Sequence, residues 1–210
     1  MSSLKKVNVS ESSDVEGADV KDDAVWVEKA RAGDPAGWAE LHFRYYGRLW
    51  SAVNQVLNDA AAAEDAVQEA FIKAFRNIHR FRGGSKFSTW IYRIALNQAF
   101  DTLRKRNRSR KWLGFFPLEP DDEEAPVRQM AAPELSLSGA ERTDCRKAVA
   151  RALKSLPAAH RAVVELRLVQ GLSTEETARV LGCKKGTVLS RLFYSCQKLQ
   201  PLLKGVYEEL

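Results

Sequence analysis

Trp90, Arg93, Asn97, Asp101 and Arg104 recur at the 100° step of an α-helix and fall on one line, while Ile91, Tyr92, Ala95, Leu96, Ala99 and Leu103 face the other way. A tryptophan is usually wanted in a core, so its place on the polar line needs a reason. An indole face stacks on unpaired bases, and arginines and lysines beside it hold the phosphates. Immediately downstream, Arg104, Lys105, Arg106, Arg108, Arg110 and Lys111 put six cations into eight residues without an acid. A basic helix end that favours the macrodipole accounts for one or two of them, not for six. The chemistry on offer is a grip on nucleic acid.

A second polar stripe lies one helix earlier. Over residues 62–81 Val67, Ala70, Phe71, Ala74, Ile78 and Phe81 form a core face, and Asp65, Gln68, Glu69 and Arg76 lie opposite with Ile72 among them. Periodicity alone reads this stripe as a solvated helix surface, since a single exposed apolar residue is ordinary.

A third set lies near the C-terminus. In the run from Leu172 to Gly182, Ser173 and Glu176 form a capping-box pair and Gly182 supplies a left-handed stop. A second helix opens near Gly186-Thr187, with Val188, Leu192, Cys196 and Leu199 inward. Its outer face carries Thr187, Ser190, Arg191 and Tyr194, behind Lys184 and Lys185. Two helices joined by a short glycine-containing turn make a helix-turn-helix, whose second helix enters the major groove of DNA. Its plain alternative is a helical hairpin in a bundle.

Nothing comparable suggests catalysis. His42, His79 and His160 are scattered without paired ligands, and Glu64, Asp65 and Glu69 lack a second cluster to complete a metal site. Neither a metal nor a cofactor is expected. Cys145, Cys183 and Cys196 are odd in number and far apart, which reads as reduced packing residues.

The elements that must position these groups follow from the pattern of the 210 residues. Helical spacing without β-type alternation predicts an all-α chain, with Gly33-Asp34-Pro35 and Gly83-Gly84-Ser85 as breaks between helices. The net charge of +6 resolves along the chain. Residues 24–111 carry 16 basic and 8 acidic groups (+8), residues 112–141 carry 1 and 7 (−6), and residues 142–204 carry 13 and 4 (+9). The acidic block holds Pro117, Pro120, Pro126 and Pro133, so it reads as a flexible linker. The first 22 residues, poor in large apolar groups, read as disordered. The expected organisation is an N-terminal extension over 1–22, a helical domain over 23–111, a linker over 112–140 and a helix-turn-helix domain over 141–204. No apolar run approaches the length that crosses a bilayer and no signal peptide opens the chain, so a cytoplasmic protein without membrane insertion is expected.

At this point three runs together resemble a family, the extracytoplasmic-function (ECF) sigma factors of bacterial RNA polymerase, of the sigma-70 type. AEDAVQEAFIKAF (63–75) is similar to the helix that grips the clamp of the largest polymerase subunit, FSTWIYRIALN (87–97) to the element that melts and reads the minus-10 region, and LSTEETARVLGCKKGTVLSRL (172–192) to the minus-35 reader. The resemblance implies core-polymerase contacts, to the beta and beta-prime subunits, from Asp65, Gln68, Glu69, Ile72 and Arg76. It implies minus-10 contacts from Lys86, Phe87, Ser88, Thr89, Trp90, Arg93, Asn97, Asp101, Arg104 and Lys105, and minus-35 contacts from Lys184, Lys185, Thr187, Ser190, Arg191 and Tyr194. Promoter DNA and an anti-sigma factor are the further partners it implies. Leu189 stands where many relatives carry a basic residue. A sigma factor is a specificity subunit rather than an enzyme. The alternative, a stand-alone helix-turn-helix regulator, leaves the Trp90 line and the Asp65 stripe without purpose.

Overall fold

The computed structural model describes residues 23–109 and 139–208, and every element among them is helical. The extension expected over 1–22 lies outside the described residues, and so does the linker as far as residue 138; Gly139 and Ala140 already belong to a helix.

Helix α1 (23–31) stops at Gly33, whose φ of +84° is open to glycine without strain. Helix α2 (Pro35–Leu57) starts where the sequence signals it: Asp34 Oδ1 accepts from the Ala36 N–H at 2.9 Å, and Pro35 fills a position needing no donor. Gly37 lets α1 and α2 touch, because a Cβ there would lie 2.6 Å from the Ala30 nitrogen and 2.8 Å from the Trp26 oxygen. Asn58, left-handed at φ 51°, ends α2, and Asp59 caps α3 (Ala60–Asn77) through the Ala62 N–H at 3.0 Å.

The helix expected over 62–81 is not continuous. It gives way after Asn77 to a 3-10 turn (Ile78–Arg80), in which the Phe81 N–H bonds the Ile78 carbonyl at 3.0 Å. Tightening the last turn is one way a helix end meets its unpaired carbonyls, and Ile78 and Phe81 still reach the core from it. After Gly83, at φ +73°, α4 runs from Phe87 to Ser109.

Helices α2, α3 and α4 enclose one core, with Leu41, Leu49, Val53, Val67, Ile91 and Leu96 at or near zero exposure. The predicted inward faces of α3 and α4 are the buried ones, except that Leu103 is partly buried. Arg106 near the end of α4 closes back on the cap of α3 through Asp59 at 2.8 Å.

The second half comprises α5 (Gly139–Lys154), α6 (Ala158–Val164) running into a π turn (Glu165–Val169), α7 (Thr174–Leu181) and α8 (Lys185–Glu208). The capping box is formed both ways, Glu176 N–H to Ser173 Oγ at 3.1 Å and Ser173 N–H to Glu176 Oε2 at 2.8 Å. Gly182 ends α7 at φ 64°. Ala178, Val188, Leu192 and Leu199 pack with Leu153, Leu156, Val163 and Val164, and Cys196 is partly buried beside them.

One feature was not legible in the periodicity. The two helical halves pack directly on each other, α4 against α7 and α2 against α6. Ala158, Ala162, Leu166, Leu172 and Val180 of the second half join the core of the first.

Candidate nucleic-acid and polymerase interface

The N-terminal turn of α4 is an aromatic platform. Phe87 stands edge-on to Phe81 (centroids 5.8 Å, 89°) and to Tyr45 (5.4 Å, 66°), and Trp90 leans on both Phe81 (5.4 Å) and Phe87 (5.6 Å). Trp90 is therefore half-buried rather than fully exposed, its indole braced from behind. Arg93, Asn97, Arg104 and Lys105 are exposed, and Arg104 pairs with Asp101 one turn back.

Two members of the predicted minus-10 set point elsewhere. Phe87 and Thr89 are each 3% exposed, so in this structure they offer no surface to a ligand. Phe87 belongs to the brace, and the Thr89 hydroxyl is buried without a hydrogen-bond partner among the described residues. Ser88 is half-buried. Lys86 is half-buried too and is held by Glu176 of α7 at 3.1 Å.

On α3, Asp65, Gln68, Ile72 and Arg76 are exposed and Glu69 half-buried, so the predicted stripe does face solvent. Glu64 behind it accepts from the Tyr46 hydroxyl at 2.5 Å and from Gln68 Nε2 at 3.0 Å. Those two bonds, the tyrosine's first, hold its carboxyl below the ordinary range and orient Gln68. A polar groove between α3 and α4, lined by Asp65, Glu69, Lys73, Gln98, Asp101 and Lys105, joins this stripe to the basic line of α4.

Sequence reasoning missed Phe75 and Phe43, which are 59% and 83% exposed. Phe75 packs edge-on to Trp38 at 5.4 Å and lies one turn from Ile72. The 100° step already places it off the core face of α3, and that was the available signal.

On the second half Lys184, Lys185 and Tyr194 are exposed, and Thr187, Ser190 and Arg191 half-buried. Ser190 Oγ donates to the Thr187 carbonyl at 3.2 Å. Glu175 accepts from Lys185 at 3.2 Å and from Arg179 at 2.8 Å, and these bonds, Lys185's first, hold its carboxyl below the ordinary range. Phe193 was also missed; it is 38% exposed and stacks edge-on with Tyr194 at 5.6 Å.

Among the described residues no three of His, Cys, Asp or Glu gather as metal ligands, and no helix is long and apolar enough to cross a membrane. His42 packs on Phe71 at 4.4 Å and His160 contacts Ser195 at 3.2 Å, structural settings for both. Burial pushes the Cys196 thiol up, away from the reactive thiolate.

An aromatic-and-basic helix, an outward polar stripe and a helix-turn-helix in one all-α chain define a protein that works on DNA beside a protein partner. The family description Sigma-70 region 2 matches residues 41–109, and Sigma-70, region 4 matches residues 146–199. The chain is 36% identical over 189 residues to the ECF RNA polymerase sigma-E factor of Escherichia coli K12, covering 87% of this chain and 96% of that one. It is 35% identical over 193 residues to the RNA polymerase sigma-H factor of Pseudomonas aeruginosa, covering 85% and 94%. Among solved structures, sigma factor RpoE of Bartonella quintana, in complex with the anti-sigma factor NepR, superposes with a TM-score of 0.60 at 26% identity over 79% of this chain and 96% of that one. CnrH, in complex with the cytosolic domain of CnrY, shares the fold with a TM-score of 0.61 at 24% identity, over 87% and 97%. The chain belongs to the sigma-70 family, in its ECF branch: it is an alternative sigma factor that directs RNA polymerase to promoters.

Proposed function

We propose that promoter work divides between two units, residues 23–111 and 141–204. In the first, Asp65, Gln68, Glu69, Ile72 and Arg76, with Phe75 added beside them, bind core polymerase. Trp90 is the stacking surface for an unpaired minus-10 base, and Lys86, Ser88, Arg93, Asn97, Asp101, Arg104 and Lys105 surround the strand. Phe87 and Thr89 support that surface from inside the fold. In the second unit Lys184 and Lys185 hold phosphate, and Thr187, Ser190, Arg191 and Tyr194 face the minus-35 duplex. The chain performs no reaction of its own, acts in the cytoplasm, and takes an anti-sigma protein as a regulatory partner, as its structural neighbour RpoE does with NepR.

The observation that carries this reading is the braced, half-exposed Trp90 on a helix whose outward line also presents Arg93, Arg104 and Lys105. Extruding a base costs a few kcal/mol, and stacking on a rigid ring offsets it with little loss of side-chain freedom. The test is reconstitution with sigma-free core polymerase and bacterial promoter fragments. Discrete initiated transcripts are expected, and Asp65→Ala or Gln68→Ala should weaken core binding without unfolding the chain. Tight duplex binding by the chain alone, with no association with core, would overturn the assignment of these residues.

A further inference from the structure

Gln68, in the middle of the outward stripe of α3, is held from behind by groups that do not belong to the stripe. Glu64, one turn earlier on the same helix, accepts from Gln68 Nε2 at 3.0 Å. The same carboxylate oxygen, Oε1, accepts from the Tyr46 hydroxyl of α2 at 2.5 Å. Tyr46 is itself fixed by rings. It stacks on Phe71 with centroids 6.4 Å apart and planes 16° from parallel, and His42, one turn before it, lies 5.2 Å from Tyr46 and 4.4 Å from Phe71. Phe71 is buried, Tyr46 and Glu64 are half-buried, and Gln68 is exposed, so the contacts run outward from the core of the first half to its surface.

The chemistry of the pair decides which end of the amide faces out. The tyrosine bond first, and the amide bond after it, hold the Glu64 carboxyl below its ordinary range, so it meets Gln68 as a carboxylate. A carboxylate accepts hydrogen bonds and donates none, whereas an amide donates from nitrogen and accepts on oxygen. Gln68 can therefore meet Glu64 only through Nε2. Turning the amide over would set its carbonyl oxygen against the carboxylate, two acceptors with no proton between them. The oxygen of Gln68 is thus left for whatever lies outside. Asp65, three residues earlier and exposed, is acceptor-only as well, and side chains at that spacing are neighbours on a helix surface.

We infer that Tyr46 and Glu64 are positioning residues of the polymerase contact: they set Gln68 with its carbonyl oxygen outward, so that Asp65 and Gln68 offer adjoining acceptors to a hydrogen-bond donor on core polymerase. The inference rests on the assignment of Gln68 to that contact above. The donor that fits two adjoining acceptors, one of them charged, is a cationic side chain, and the planar fork of a guanidinium matches them better than an ammonium does. Tyr46 acts through Glu64. By fixing the carboxylate it spares the complex the cost of ordering a glutamine that would otherwise rotate freely.

Exchanging the two side chains tests the polarity. Gln68→Glu sets two carboxylates face to face and should weaken the binding of a fluorescently labelled full chain to sigma-free core polymerase about tenfold. Adding Glu64→Gln puts a donor back between the two positions: the introduced amide accepts from Tyr46 and donates to the introduced carboxylate, whose other oxygen again faces out. The affinity of this double variant should return to within about threefold of the wild type. Tyr46→Phe keeps the ring stack and removes only the hydroxyl. It should weaken core binding about threefold in the wild-type background and have no further effect in a Gln68→Ala background, because its influence passes through the amide. Circular dichroism of each free variant should match the wild type. If Gln68→Glu binds core as well as the wild type, or stays weak when Glu64→Gln is added, the outward acceptor is wrong and the inference is overturned. If Tyr46→Phe weakens binding equally in both backgrounds, Tyr46 does not position Gln68, which overturns it too. If Gln68→Ala binds core like the wild type, the assignment of Gln68 to the polymerase contact has itself failed, and the inference falls with it.

Discussion

The two helices proposed to face DNA, α4 and α8, are built on opposite plans. The start of α4 stands on a buried aromatic cluster in which Phe81, Phe87 and Tyr45 fix the pose of Trp90. The start of α8 is thinly supported: Gly186 has no atom within 4 Å of where a Cβ would sit, and Lys184 and Lys185 project into solvent. A site that must hold a base pulled out of a duplex needs a rigid surface, because any give in the ring is lost stacking. A site that reads an intact duplex needs instead a slim, charged helix end that the groove can accept.

The largest effect should come from removing the brace. Phe87→Ala empties a site at 3% exposure and should cost about 3–5 kcal/mol by denaturant titration. No single truncation on the outer face of α8 should approach that figure. A loss below about 1 kcal/mol at Phe87 would mean that Trp90 is held by something other than the aromatic cluster.

Trp90→Ala should separate the two helices by function. Loss of one stacked base is worth about 1–3 kcal/mol, so promoter opening, followed by the fluorescence of a base analogue in the minus-10 strand, should fall about tenfold to a hundredfold. Closed-complex binding to the duplex, which the proposed function assigns to the second unit, should change little. Equal loss in both steps would remove the contrast.

How much of this was legible beforehand depended on whether a signal was local. The capping box at Ser173 and Glu176, the stops at Gly33 and Gly182, and the inward faces of α3 and α8 all rest on contacts within a few residues, and the sequence displays them. Trp90 was visible as an anomaly on its helix, but its brace was not. Phe81 and Tyr45 approach Phe87 from other elements, and a helical wheel drawn for α4 alone cannot show them. For the same reason the burial of Phe87 and Thr89 was hidden, and so was the contact between the halves, where Ser51 and Glu165 meet across 114 positions. Residues 24–111 and 142–204 carry +8 and +9, so their charges alone argue for repulsion, yet the halves pack. The contacts of Lys86 with Glu176 and of Ser51 with Glu165 show how: two of the four acids over 142–204 sit where the halves touch.

Ser173→Ala should act on α7 only, at about 1 kcal/mol, by taking away the side-chain half of the capping box. Acid adds a related check. Burial works against the charge on Glu176, but the Ser173 bonds and Lys86 outweigh it, so its carboxyl is held below the ordinary value. A carboxyl lowered in the folded chain contributes stability that is complete above its unfolded value and is lost as pH falls through the folded one. The wild type should therefore lose more stability than Glu176→Gln as pH drops below the usual carboxylate range. Equal acid sensitivity would show that the cap and the Lys86 pair hold the charge no better than water does.

The smallest expected effect is the sharpest on the second helix. Gly186 lies in the first turn of α8, its φ is not left-handed, and a methyl there meets nothing in the chain. By propensity alone Gly186→Ala should stabilise the fold by about 0.5–1 kcal/mol, since glycine loses more backbone freedom on entering a helix. A glycine kept where alanine would fold better has its use outside the fold, in letting backbone come close to a ligand. Between Lys185 and Thr187 the ligand that the proposed function assigns is the sugar-phosphate edge of the minus-35 duplex. The variant should melt higher and yet bind the promoter more weakly within the holoenzyme, whereas the same substitution at Gly37, where a Cβ would strike backbone at 2.6 Å, should destabilise the chain outright. If Gly186→Ala gains stability without losing promoter affinity, α8 does not rest its N-terminal turn on DNA, and the slim helix end has no functional reason to be slim.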